Sequence, residues 1–251
     1  MAERFLEIPN LPSGEVTLAA VSCAHPQIIR ELERLGIEVV PVFACEDLPQ
    51  PVRTHADMIC LHLGGSDMIV ARRKKDLVEA LKRNGFHIVE TQRTLGGTYP
   101  QDCLLNAVLL KKRLFARIDG LDPELISACR TKGLEITNVR QGYAKCSTVV
   151  IGGNEWITAD PAIARAARSA GVNVLQIRPG HIELAGYGYG FIGGCCGCIS
   201  KDAVAFTGKL DSHPDGCAIR SFLERIGKRA MELSGGPLID VGGILPLKEK
   251  D

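Results

Sequence analysis

Three cysteines stand almost side by side at Cys195-Cys196-Gly197-Cys198, behind the run Gly186-Tyr187-Gly188-Tyr189-Gly190. A thiolate can attack a trigonal carbon, and glycines on either side leave the backbone open to a ligand. His181-Ile182-Glu183 lies upstream. An imidazole moves protons and a carboxylate orients it, so Cys195 or Cys198 with His181 and Glu183 compose a set for thiol-based hydrolysis. The same thiols and His181, with Cys103 or Cys146 as a fourth donor, are soft metal ligands, but the paired Cys-x-x-Cys spacing of a structural zinc site is absent. Inert packing is the default for Cys103 and Cys146, which sit singly in apolar runs.

A second set of candidates is charged. Asp57, Asp102, Lys145, Gly194 and Asp240 each precede a similar stretch, and the stretches through Ala71, Ala116, Ala159 and Gly208 superimpose without gaps. Each is one hairpin long, with Gly64-Gly65-Ser66-Asp67, Lys111-Lys112, Gly152-Gly153-Asn154-Glu155 and Lys201-Asp202 at the turns. Polar groups recurring at one register of otherwise apolar runs are costly to bury unless paired or solvated. Three carboxylates and one amine facing one another would bind a cationic substrate, or pin the units together as an ion-pair network.

The elements that must position these residues follow from the same period. After each hairpin comes a helix, opened by His25-Pro26, Asp122-Pro123, Asp160-Pro161 or Pro214-Asp215. Proline fits a first helical turn. Gly36, Gly85, Gly133 and Gly171 stand where a left-handed residue closes a helix, and a β-branched run follows each one. The unit is strand, strand, helix, strand. The first unit lacks its opening strand, and the spare one between Pro237 and Leu247 is expected to pair with Val16–Cys23. Too few residues separate the last helix from Asp240 for a full outer strand in the fifth unit. The expected fold class is therefore α/β, a five-bladed pseudo-symmetric ββαβ propeller closed by the C-terminal strand, with residues 1–251 as one domain of five repeats.

Composition narrows the function. Lys and Arg number 30 against 29 Asp and Glu, so no net field draws the chain to nucleic acid or an anionic membrane. MAERFLEIPNLPSGE is not a signal peptide, and no later stretch is long and uncharged enough to span a bilayer, which reads as cytoplasmic. The ten cysteines are spread through apolar runs and read as reduced thiols. His25, His55, His62, His87 and His213 are scattered without visible partners and read as surface or turn residues. Trp156 reads as core. The Arg72-Arg73-Lys74-Lys75 run reads as a solvated helix start.

Five such units resemble the pentein fold, that of the guanidino-group-modifying superfamily of arginine deiminases, agmatine deiminases, amidinotransferases and dimethylarginine hydrolases. Tyr99-Pro100-Gln101-Asp102 is similar to the segment whose carboxylate holds a guanidinium in those enzymes, and His181-Ile182-Glu183 is similar to their His-x-Asp. The resemblance fails at the C-terminus: those enzymes carry a nucleophilic cysteine in a glycine-rich final strand, where this chain reads Ile239-Asp240-Val241-Gly242-Gly243. The resemblance implies a thiol-dependent hydrolase or group-transfer enzyme acting on a small guanidino, ureido or amide compound at the central pore. In it, His181, Glu183, Cys195 and Cys198 are catalytic, while Asp57, Asp102, Lys145 and Asp240 bind a small cationic or amide-bearing partner. It calls for no metal and no cofactor. Two alternatives stand beside it: a non-catalytic binding protein, as the ribosome-subunit anti-association factor resembling this fold is, and a thiol metal site.

Overall fold

A computed structural model describes residues 3–110 and 112–251. Lys111, expected at the third hairpin turn, lies outside the described residues, as do Met1 and Ala2. The chain runs through β1 (Glu3–Phe5), β2 (Val16–Ser22), α1 (Pro26–Arg34) and β3 (Glu38–Val42). A short helix α2 (Ala56–Ile59) leads into β4 (Cys60–His62), β5 (Asp67–Val70), α3 (Lys75–Arg83) and β6 (His87–Glu90). Then come β7 (Val108–Leu110), β8 (Arg113–Ala116), α4 (Pro123–Thr131) and β9 (Glu135–Asn138). The fourth unit is β10 (Thr148–Val150), β11 (Glu155–Thr158), α5 (Pro161–Ser169) and β12 (Asn173–Gln176). The fifth is β13 (Cys196–Ser200), β14 (Ala203–Phe206), α6 (Gly216–Arg225) and β15 (Arg229–Glu232), and β16 (Leu245–Lys250) ends the chain.

These strands form five small sheets. In four of them an antiparallel hairpin is followed by a helix and a third strand parallel to the second. In the remaining sheet the hairpin partner of β2 comes from the far end of the chain: β16 runs antiparallel to it, with Leu245 opposite Ala20, and β3 lies parallel on its other side. Tail and head therefore pair, but through Leu245–Lys250, a later stretch than the expected run between Pro237 and Leu247. The fifth unit corrects the sequence reading, because β15 is a full outer strand parallel to β14. Gly227 closes α6 at a φ of 73°, and four residues suffice for the strand, which leaves 233–244 for the return.

Local chemistry explains the elements. Gly36, Gly85, Gly133 and Gly171 have φ between 63° and 86°, where a Cβ would collide with its own backbone. Asp122 and Asp160 cap α4 and α5, accepting hydrogen bonds from Glu124 N–H and from Ala162 and Ile163 N–H. The helices bury pairs four residues apart: Ile28 and Leu32, Leu77 and Leu81, Leu125 and Cys129, Ile163 and Ala167, Ile219 and Leu223. That spacing presents one apolar stripe to the sheet. Hairpin strands are buried, while β6 and β9 are exposed at both ends.

Trp156 is fully buried, edge-on to Phe115 at 4.8 Å. Lys74 departs from the solvated reading: it is buried, and its Nζ donates to the carbonyls of Phe43 and Ala44 and pairs with Asp76. His55, His62 and His213 depart likewise, being buried rather than exposed. No helix of the described residues is long and apolar enough to cross a membrane.

Candidate functional site

The segments that precede the hairpins meet, and a circuit of hydrogen bonds joins them. Asp57 N–H donates to Gly242 O at 3.1 Å. The Asn106 side chain donates to Asp57 O at 3.0 Å and accepts from Lys145 and Cys146 N–H at 2.8 and 3.2 Å. Gly193 N–H donates to Cys146 O at 2.7 Å, and Val241 N–H donates to Gly194 O at 2.9 Å. The circuit returns to its start through Gly242. One amide thus satisfies three buried backbone groups from two other units, so the segments cannot shift independently.

Above the circuit lies a pocket of about 240 Å³, lined by His55, Met58, Tyr143, Cys146, Asp240, Val52 and the 184–191 segment. His55 and Asp240 are each 2% exposed. Asp240 accepts from Phe191 N–H at 2.8 Å and Gly242 N–H at 3.0 Å, and its Oδ1 lies 3.7 Å from Nδ1 of His55. The other ring nitrogen, Nε2, is buried and has no hydrogen-bond partner among the described residues. Glycines make this packing possible. A Cβ on Gly190 or Gly194 would fall inside the Asp240 side chain, and one on Gly242, at a φ of 77°, would fall inside His55.

Cys146 lies in the same pocket, donated to by the Asn106 amide at 2.9 Å and 3.9 Å from the Met58 sulfur. Burial, then the carboxylates of Asp57 and Asp240, hold its thiol well above the usual range. Asp57 and Lys145 line a small crevice with His62 and Leu245. Both Asp57 oxygens are buried without a hydrogen-bond partner among the described residues, and burial raises this carboxyl against the pull of His55 and Lys145. Asp102 stands further out, accepting a 2.6 Å bond from the Tyr143 hydroxyl. Asn106, four residues later, takes the place in the circuit that the repeat alignment gave to Asp102.

The structure does not bring His181 and Glu183 to the clustered thiols. His181 is exposed, at a φ of 61°, with its ring 5.6 Å from that of His213. Glu183 is also exposed, and its backbone is what matters here, exchanging bonds with Leu238 O and Asp240 N–H. That pairing lays the 181–183 segment alongside Asp240. Cys195 and Cys198 are buried in an apolar cluster, their Sγ donating to Ile192 O and Val150 O. Burial raises both thiols, Cys198 to about 11. Among the described residues no three His, Cys, Asp or Glu side chains are grouped to hold a metal ion.

Sequence reasoning missed His55, Asn106 and Tyr143. His55 stands two residues ahead of the recurring stretch that starts at Asp57 and carried no signal. Asn106 had one, as the lone polar residue of the apolar run from Cys103 to Leu110.

The fold is that of the guanidino-group-modifying superfamily, the pentein fold. Solved structures with this architecture include DDAH from Pseudomonas aeruginosa complexed with citrulline, 12% identical, TM-score 0.56, covering 87% of this chain and 92% of that one. The SxtG amidinotransferase of Microseira wollei, from the saxitoxin biosynthetic pathway, is 11% identical, TM-score 0.51, covering 92% and 97%. The C. jejuni agmatine deiminase with substrate bound is 9% identical, TM-score 0.54, covering 93% and 92%. By sequence, the chain belongs to the family described as "Family of unknown function (DUF6873)", whose model matches residues 20–245. No curated protein matches it by sequence.

Proposed function

We propose that the five sheets surround one axis, propeller fashion, as a single domain, and that the pocket at this axis is the site of a thiol-dependent C–N bond enzyme for a small guanidino, ureido or amide compound. One observation carries the reading: Cys146, His55 and Asp240 line the same pocket, with a buried ring nitrogen left free. The structural neighbours are C–N hydrolases and amidinotransferases, which supports the reaction class by analogy of fold.

Cys146 replaces the missing terminal cysteine as nucleophile. Burial, then the carboxylates of Asp57 and Asp240, raises this thiol; a cationic head group beside Asp240 offsets the carboxylates' share and favours the thiolate. The sulfur then bonds to the trigonal carbon and its proton passes to His55, which returns it to the departing amine. Water adds to the same carbon and releases the thiol. Asp240 anchors the imidazole, and Asp57 and Lys145 contribute to the field.

The test is turnover on a panel of arginine, agmatine, citrulline and methylated arginines. Cys146→Ala is expected to lower kcat/KM by at least about a thousandfold. Activity kept by Cys146→Ala but lost in Cys195→Ala or Cys198→Ala would return the chemistry to the clustered thiols. The second reading, a non-catalytic binding protein, draws on the raised Cys146 thiol; under it, ligands bind and no member of the panel yields product.

A further inference from the structure

The pocket's walls say more about the head group than its floor does. Tyr143, Tyr187, Tyr189 and Phe191 all line it. Phe191 makes a corner: its ring centre is 6.1 Å from Tyr189 at 85° and 6.0 Å from Tyr143 at 33°. The Tyr143 hydroxyl donates to buried Asp102, which adds electron density to that ring. Asp240 supplies a full charge at the floor, but each of its oxygens already accepts a backbone N–H.

The rest of the lining is the sulfurs of Met58 and Cys146, the side chains of Val52 and Leu184, and His55 with its one unpartnered nitrogen. A bare guanidinium brings several N–H donors, and burial here leaves most of them without acceptors, at about 1–3 kcal/mol each. An N-alkylated cation needs few acceptors. Its alkyl groups carry the spread positive charge to the aromatic faces, where each contact is worth about 0.5–2 kcal/mol.

We propose that this pocket selects an N-alkylated cation, held by the faces of Tyr143, Tyr189 and Phe191 above Asp240. The inference rests on the reading of the pocket as the ligand site and names the head group it takes.

Isothermal titration of the full chain with tetramethylammonium chloride, guanidinium chloride and tert-butanol, at matched ionic strength, tests it. Tetramethylammonium is expected to bind at least about tenfold more tightly than either rival. Tyr189, half exposed at the rim, can be replaced without disturbing the core. Tyr189→Ala is expected to weaken tetramethylammonium binding by about threefold to thirtyfold, and Tyr189→Phe to leave it within about twofold. Undetectable tetramethylammonium binding, equal or tighter binding of guanidinium or tert-butanol, or an unaffected Tyr189→Ala each overturns the proposal. Failure here is distinct from failure of the proposed reaction: tetramethylammonium binding without turnover of any substrate defeats only the reaction, and turnover with a preference for bare guanidinium defeats only the alkyl selectivity.

Discussion

His62 shows what burial does to a single residue in this fold. Its Nε2 lies 2.8 Å from Gly65 O, its Nδ1 is buried without a partner among the described residues, and its ring is edge-on to Phe86. Burial pulls its pKa from 6.5 down to about 4. The unfolded chain therefore takes up this proton first as pH falls. The stability that neutral His62 contributes is whole above 6.5 and is lost progressively down to about 4, on the order of 3 kcal/mol in all. Denaturant melts between pH 7 and 4 are expected to show that loss, and His62→Gln to flatten it. His25 and His213 are shifted the same way by burial, so some slope should remain. An unchanged slope in His62→Gln would place the acid sensitivity elsewhere.

Among elements, the short segments ahead of the hairpins do what the strands cannot. Each sheet has only three or four strands, and the bonds of the circuit that joins the units come from Asn106, Asp57, Cys146, Gly193, Gly194 and the 240–242 turn. Asn106→Ala leaves a carbonyl and two N–H groups buried without partners, and is expected to cost about 3 kcal/mol or more in a denaturant titration. A loss under about 1 kcal/mol would mean that water or a neighbour replaces the amide. The repeat itself was legible because its signals are local: proline at a helix start, glycine at a helix end, two apolar runs around a turn. Asp57, Lys145 and Asp240 were legible for the same reason, recurring at one register. His55 was not, since an isolated histidine carries no pattern and its neighbour Asp240 lies far along the chain. His181 and Cys195 misled by nearness in sequence: a left-handed residue turns the imidazole outward, while the thiol turns into an apolar cluster.

For the whole molecule, the pairing of β16 with β2 and the bond circuit through Gly242 agree that the two ends of the chain are held together. The fold gathers acids from distant segments at one place: Asp57 and Asp240 both act on the Cys146 thiol. Asymmetry is laid on top of the repeat, because the 184–191 segment, leading into the fifth unit, contributes three of the aromatic residues lining the pocket, Tyr187, Tyr189 and Phe191. The central claim is that Cys146 is a latent nucleophile released by a cation. The direct measurement is alkylation of the native protein by a trimethylammonium-bearing haloalkyl reagent and by its neutral tert-butyl counterpart, with the labelled cysteine located by mass spectrometry. The exposed Cys217 should react with both reagents. Cys146 is expected to react with the cationic reagent at least about tenfold faster than with the neutral one. A Cys146 that stays unlabelled while Cys195 or Cys198 reacts, or that shows no preference between the reagents, would contradict the account.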